Sequence, residues 1–359
     1  MTADRTMKGF RKRSLAPFDM ALDDLPIPSL GPGEVLVQVA ACGICGGDVH
    51  AYHGDPGYQW LSTPVILGHE FSGTVAATAA DVAHLTVGQP VIAMSVQGCN
   101  RCATCAGGLT QLCPDRRIIG MDYDGGLAGF ARVPAEYLIP FDPALDLTTA
   151  ALTEPLSVAV HATSTAPAIG PGARVVVSGP GPVGLLCALV ARAAGAEVLV
   201  LGTAVDERRL GVAAAAGLSA LAPERGATAQ AVADRFAGAA PQVWIEASGA
   251  PPAARDALAA LGTGGQLVVV AMFKHDVEVS FIDAVRKHLT VSFCYAANAA
   301  DYERAIDLLT SGAVDVSGLL DVYPLSDALS ALDDAANARA IKAVVRPEHS
   351  ASPARPSGG

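Results

Sequence analysis

Aromatic side chains are scarce: Phe, Trp and Tyr make up 5% of 359 residues, with only two tryptophans. The hydrophobic share of 51% therefore comes largely from Ala, Val and Leu. That is enough apolar surface for full cores, but built from small side chains. Basic charge is also short. Lys and Arg number 24 against 35 Asp and Glu, a formal net charge of −11. Such a balance argues against nucleic acid or an anionic membrane as the main partner. Long uncharged apolar runs are missing; even Leu185 to Leu201 is interrupted by Arg192 and Glu197. No segment offers the roughly 18 apolar residues of a membrane-spanning helix. Met1 to Ser14 is charged and lacks an apolar stretch, so no secretory signal is visible. The expectation is a soluble, cytoplasmic chain of about two domains.

Eight cysteines are present. In a reducing compartment they suit metal ligands and buried thiols better than disulfides. Four of them, Cys99, Cys102, Cys105 and Cys113, fall in one window spaced C-x2-C-x2-C-x7-C. Thiolates that close suit a tetrahedral Zn²⁺ with bonds of about 2.3 Å and no open position, a structural site. The residues between them are small or polar, as a metal-wrapped loop requires. Cys42, Cys187 and Cys294 read as packing thiols.

The chain changes character along its length. Glu34 to Ala41 alternates as a strand, Pro64 to Leu67 and Phe71 to Ala76 read as further strands, and short strands with Gly and Pro turns continue to about Pro140. From about Thr148, helices and strands alternate. A helix over Leu152 to Ala162 precedes a strand at Arg174 to Ser178. A helix over Val183 to Ala194, a strand at Glu197 to Leu201, a helix opened by Asp206, and strands at Val243 to Glu246 and Gln266 to Val270 follow. That alternation predicts an α/β fold with a doubly wound parallel sheet. The expected division is 1–150 with 291–346 as a β-rich domain, 151–290 as the parallel-sheet domain, and 347–359 as a Pro, Ser and Gly rich tail.

Cys45 and His69 are donors suited to a second zinc. A catalytic zinc takes about three protein ligands and leaves one position open. Glu154, at the edge of an apolar helix, is the expected third ligand, and Glu70, next to His69, is its rival. Asp48 is expected behind the ligands, accepting the other ring N–H of His69. The run Gly179-Pro180-Gly181-Pro182-Val183-Gly184 follows a strand and opens a helix. In that context G-x-G-x-x-G lets backbone approach a dinucleotide pyrophosphate at a helix N-terminus. At the end of the next strand, where an NAD-selective site places Asp or Glu, the chain has Gly202-Thr203-Ala204, with Arg208 and Arg209 close behind. That arrangement leans towards the 2′-phosphate of NADP over NAD.

These motifs resemble the zinc-dependent medium-chain dehydrogenase/reductase superfamily, closest to its sorbitol (polyol) and threonine dehydrogenase branch. The resemblance spans about Leu25 to Val345. It implies a GroES-like β domain and a Rossmann domain, two zincs per chain, a nicotinamide cofactor and a small-molecule substrate. It also implies assembly as a homodimer or homotetramer. By resemblance, Cys45, His69 and Glu154 take the catalytic zinc, with Glu70 close enough to exchange. The run Glu154-Pro155-Leu156-Ser157 is typical of the polyol branch. The implied reaction is hydride transfer between a nicotinamide and a secondary alcohol or ketone. Reduction of an activated C=C bond and a non-catalytic cofactor-binding relative are the competing readings.

Two residues depart from the family pattern. Gly47 stands where relatives have Ser or Thr, whose hydroxyl passes the alcohol's proton towards a histidine at the position of His50. Cys294-Tyr295 replaces an Arg-Tyr pair whose Arg contacts sugar alcohols, which weakens a reading for sorbitol itself. The substrate pocket is expected to draw on Tyr52, Tyr58, Trp60, Tyr123 and Tyr295.

Overall fold

A computed structural model of the chain describes residues 6–348. The expected tail from 349 onwards lies outside the described residues. Contacts divide the chain into two units. The first comprises residues 1–97, 117–151 and 321–359, and the second residues 98–116 and 152–320.

The first unit is built on antiparallel sheet. Its central strand, Glu34–Gly43, pairs with Glu70–Thr78, Phe130–Pro134 and Lys342–Arg346. Val35, Val37, Val39 and Ala41 alternate inward along it and are fully buried, the period-2 pattern of a strand with one face on a core. The register sets Gly43 opposite Glu70 and Cys42 opposite Phe71. Antiparallel pairing therefore delivers the residues after Gly43 and the residues before Glu70 to the same end of the sheet. The N-terminal hairpin Thr6–Lys12 with Met20–Pro26 adds a separate three-stranded sheet, closed by Val65–Ile66.

The second unit carries a six-stranded parallel sheet. Its order is Ser219–Leu221, Glu197–Leu201, Arg174–Ser178, Val243–Glu246, Gln266–Val269 and Thr290–Phe293. Val175, Val176, Val177, Val243, Trp244 and Ile245 are entirely buried, the continuous apolar run of strands covered on both faces. The strand order reverses direction beside Arg174–Ser178, and a crevice at such a switch point is where open α/β sheets bind ligands.

The boundaries differ from expectation in two places. Thr290–Phe293 is the sixth strand of the parallel sheet, and the helix Ala299–Thr310 belongs to the same unit. The chain returns to the first unit at residue 321 rather than 291. The reason is that this strand is an exposed sheet edge with no inward alternation to read. The cysteine-rich segment 98–116 groups with the second unit rather than with its sequence neighbours. Among the described residues no helix is long and apolar enough to cross a membrane.

Candidate functional site

Sγ of Cys99, Cys102, Cys105 and Cys113 lie within 4.8 Å of one another. Cys102 and Cys113 sulfurs are 3.8 Å apart, which matches the edge of a tetrahedron with metal–sulfur bonds of about 2.3 Å. Backbone amides already favour the thiolate form at two of them. Bonds from Arg101, and less so Cys102, draw the Cys99 thiol down to about 6, and the Cys105 amide lowers Cys102. Burial, then the neighbouring Cys102, pushes Cys105 up to about 11. Four convergent sulfurs with so unequal an appetite for protons fit one shared cation that takes the place of those protons.

The second donor group forms at the end of the antiparallel sheet. Cys45 follows the strand Glu34–Gly43 and caps the helix Gly46–His53, while His69 immediately precedes and Glu70 begins the partner strand. Their donor atoms lie within 4.8 Å of one another, with His69 and Glu70 buried and Cys45 half-buried. A thiolate, an imidazole and a carboxylate make a three-ligand set that suits zinc with one position open. The sheet register brings Glu70 into this group. Glu154, the expected third ligand, opens the buried helix Thr153–Ser164 of the second unit. The Glu70 carboxylate forms an ion pair with Lys342, itself 3% exposed, whose ammonium also donates to the Ile44 carbonyl at 2.8 Å. Nothing in the residue pattern around Lys342 announces that pairing; only the strand register does.

Asp48 acts differently from expectation. Its Oδ1 is 3.8 Å from His69 Nδ1, beyond hydrogen-bond length. The carboxylate instead accepts from the amides of Cys45 at 2.9 Å and Gly68 at 3.2 Å. It thereby ties together the two backbone segments that carry the ligands. Burial raises the Asp48 carboxyl above its ordinary range, against the pull of His69 and these amides.

Gly47 lies between the helix start and a cluster of side chains. A Cβ built there would meet Met121 Cε at 2.9 Å, Tyr58 Oη at 3.5 Å and His69 Cε1 at 3.8 Å. Tyr58 stacks on His50 at 5.3 Å and on Trp60 at 6.3 Å, and His50 Nδ1 meets Asp55 Oδ2 at 2.6 Å. Tyr52 packs on Phe18 and His53, and Tyr123 bonds Gln97 under the Arg117 guanidinium. Both are anchors. Tyr295 lines a cavity of about 290 Å³ in the second unit, together with Gln111, His161 and Cys294. The Gln111 amide is buried with no hydrogen-bond partner among the described residues, a feature that no motif flags.

The glycine-rich turn separates structural from ligand-directed glycines. A Cβ at Gly184 would sit 1.9 Å from the Gly179 carbonyl oxygen, and Gly179 itself holds φ +94° against the Ser248 backbone. At Gly181 a Cβ would meet nothing within 4 Å. Gly181 caps the helix Pro182–Ala193 with no side-chain cap, leaving the first-turn amides, Val183 among them, for a ligand. The open space above Gly181 fits a pyrophosphate. At the end of Glu197–Leu201, Asp206 turns its Oδ2 onto Thr203 N and Oγ1, both at 2.9 Å. Thus a carboxylate does reach the Gly202-Thr203 corner from four residues on. Arg209 Nη1 lies 3.7 Å from Asp206 Oδ1, and its buried Nε has no hydrogen-bond partner among the described residues.

Residues 31–143 match the family Alcohol dehydrogenase GroES-like domain, and residues 182–311 match Zinc-binding dehydrogenase. The probable D-xylulose reductase A of Aspergillus clavatus is 36% identical over 332 residues, 90% of this chain and 92% of that protein. Among solved structures, a zinc-binding dehydrogenase from Sinorhizobium meliloti 1021 bound to NADP superposes with a TM-score of 0.87 at 29% identity. The match covers 96% of this chain and all of that one. An alcohol dehydrogenase from Escherichia coli CFT073 complexed with NADH gives 0.86 at 25%, covering 95% and 99%. Two cysteine-anchored zinc sites, a parallel sheet with its glycine-rich turn, and relatives similar along nine-tenths of the sequence have one explanation: the chain belongs to the zinc-dependent medium-chain alcohol dehydrogenase superfamily, near its polyol dehydrogenases.

Proposed function

We propose that this enzyme interconverts a secondary alcohol and its ketone on a small hydroxylated molecule, a polyol, sugar, cyclitol or amino alcohol, using NADP(H). The observation that carries the reading is the three-donor group Cys45, His69 and Glu70. The similarity to a D-xylulose reductase supports a polyhydroxylated substrate. Zinc, when bound, supplies a Lewis acid for the substrate oxygen, and the nicotinamide exchanges the hydride.

The chain's own residues do the rest. Cys45, His69 and Glu70 hold the metal, with Lys342 restraining the Glu70 carboxylate. Asp48 fixes the backbone on either side of them. Gly179 and Gly184 shape the turn, while Gly181 and the amides after Pro182 receive the pyrophosphate. The preference for NADP rests on Arg208 and Arg209, with Asp206 engaged by Thr203. Gly47 favours one other reading, reduction of an activated C=C bond, which needs no alcohol proton path. The test is a panel of polyols and secondary alcohols, with enones alongside, each assayed with NADP(H) and NAD(H). Turnover of a polyol with NADP⁺ is expected; turnover confined to enones would overturn the alcohol reading.

A further inference from the structure

The resemblance implies a hydroxyl at the position of Gly47, and this chain must dispose of the alcohol's proton without one. We propose that Tyr58 supplies the missing hydroxyl and is a catalytic residue, accepting the proton of the substrate alcohol. This rests on the alcohol dehydrogenase reading above.

Tyr58 Oη is 3.5 Å from the point where a Cβ at residue 47 would stand, and His69 Cε1 is 3.8 Å from that same point. A seryl Oγ extends about 1.4 Å beyond its Cβ, so the phenol oxygen arrives where a side-chain hydroxyl would be within hydrogen-bond reach. The hydroxyl therefore comes from eleven residues downstream to the same point beside Gly47 that the His69 ring approaches. Had residue 47 been Ser, its side chain would compete with Tyr58 for this space; glycine leaves the space to the phenol.

Tyr58 is held for such a task. It ends a short turn, Pro56–Tyr58, entered through a φ-restricting proline. Its amide donates to the Asp55 carbonyl at 2.9 Å, and its carbonyl accepts from Leu61. Its ring is stacked between His50 and Trp60, with interplanar angles of 26° and 27°. Trp60 is pinned through its indole N–H to the Gly57 carbonyl at 2.9 Å, and His50 through Asp55. Tyr58 is half-buried. In the oxidation direction the alcohol carbon gives its hydride to the oxidised nicotinamide and the alcohol O–H bond breaks. The proton passes to Tyr58 Oη as the phenol's own proton leaves to water on the His50 side. Tyr58 is neutral before and after, and one proton is released per ketone formed.

The test compares wild type with Tyr58→Phe, Gly47→Ser and the double variant. All are assayed for zinc content, for NADP⁺ dissociation constant, and for the solvent deuterium isotope effect on single-turnover oxidation of a polyol. Gly47→Ser is sterically feasible, because the tightest contact is with the flexible end of Met121. Tyr58→Phe should lower kcat by about 10²-fold, the usual worth of a positioned proton acceptor. Zinc content and nucleotide affinity should stay at wild-type values, which also certifies the fold. A non-reacting polyol analogue should bind several-fold more weakly to Tyr58→Phe. The double variant should regain most of the lost rate, since serine returns a hydroxyl to the same place. Tyr58→Phe within threefold of wild type, or a double variant no faster than Tyr58→Phe, overturns the assignment of Tyr58 alone. A wild-type enzyme that oxidises no alcohol overturns the alcohol reading, and the relay falls with it.

Discussion

Glu70, one of the three donors of the Cys45 group, forms a buried ion pair with Lys342. Two buried charges are tolerated only together, and removing one strands the other at a cost of about 3–5 kcal/mol. Lys342→Met should therefore lower the midpoint of urea unfolding sharply, and adding Glu70→Gln should recover part of the loss. An unchanged midpoint for Lys342→Met would mean that the carboxylate is held by something else. At this scale the sequence was most legible where chemistry is carried by spacing. Four cysteines in fifteen residues could be read directly, and so could Cys45 and His69. It was least legible where a contact depends on register. Lys342 is 272 positions from Glu70, and no local pattern distinguishes it from a surface lysine. The choice between Glu70 and Glu154 was open for the same reason: both are carboxylates near apolar residues, and only strand pairing sets Glu70 opposite Gly43, beside Cys45.

Among the elements, the turn between the strand Arg174–Ser178 and the helix Pro182–Ala193 divides its glycines by purpose. Gly184→Ala forces a Cβ into the Gly179 carbonyl and should distort the turn, lowering both the melting temperature and nucleotide affinity. Gly181→Ala adds a methyl into empty space and should leave the melting temperature within about 1 °C of wild type, since open-surface changes seldom matter. It should still weaken NADP⁺ binding by filling the pyrophosphate cradle. Thermal unfolding and nucleotide titration on both variants check the contrast; equal nucleotide affinity for Gly181→Ala and wild type would remove the cradle argument. Strands with strong apolar patterns were read to within a residue or two, because full burial imposes Val and Leu runs. Thr6–Lys12 and Thr290–Phe293 escaped. The first alternates lysine and arginine with apolar residues, and the second is an exposed edge with only Ser292 even partly covered.

For the whole molecule, that exposed edge has a consequence. Phe293 is 79% exposed, and Phe281, Ile282 and Val285 on a neighbouring helix are each at least 60% exposed. An open strand flanked by large apolar side chains is a pairing and aggregation hazard for a lone chain. We propose that a second copy of the chain, pairing edge to edge, covers it. Phe293→Glu should then lower the mass that light scattering gives for wild type; an unaltered mass would contradict pairing at this edge. The division into a β-rich unit and a parallel-sheet unit was legible from the change in element pattern near Thr148. The grouping of residues 98–116 with the second unit was not, since it depends on packing rather than on composition.

Two zinc sites of unequal purpose are tested most directly by metal stoichiometry, measured by mass spectrometry on purified wild type and Cys45→Ala. Wild type should carry near two zincs per chain and Cys45→Ala near one, held by the four cysteines, with NADP⁺ binding retained and turnover lost. Wild type with a single zinc that Cys45→Ala leaves in place, or Cys45→Ala with near-normal turnover, would contradict a catalytic metal at Cys45, His69 and Glu70.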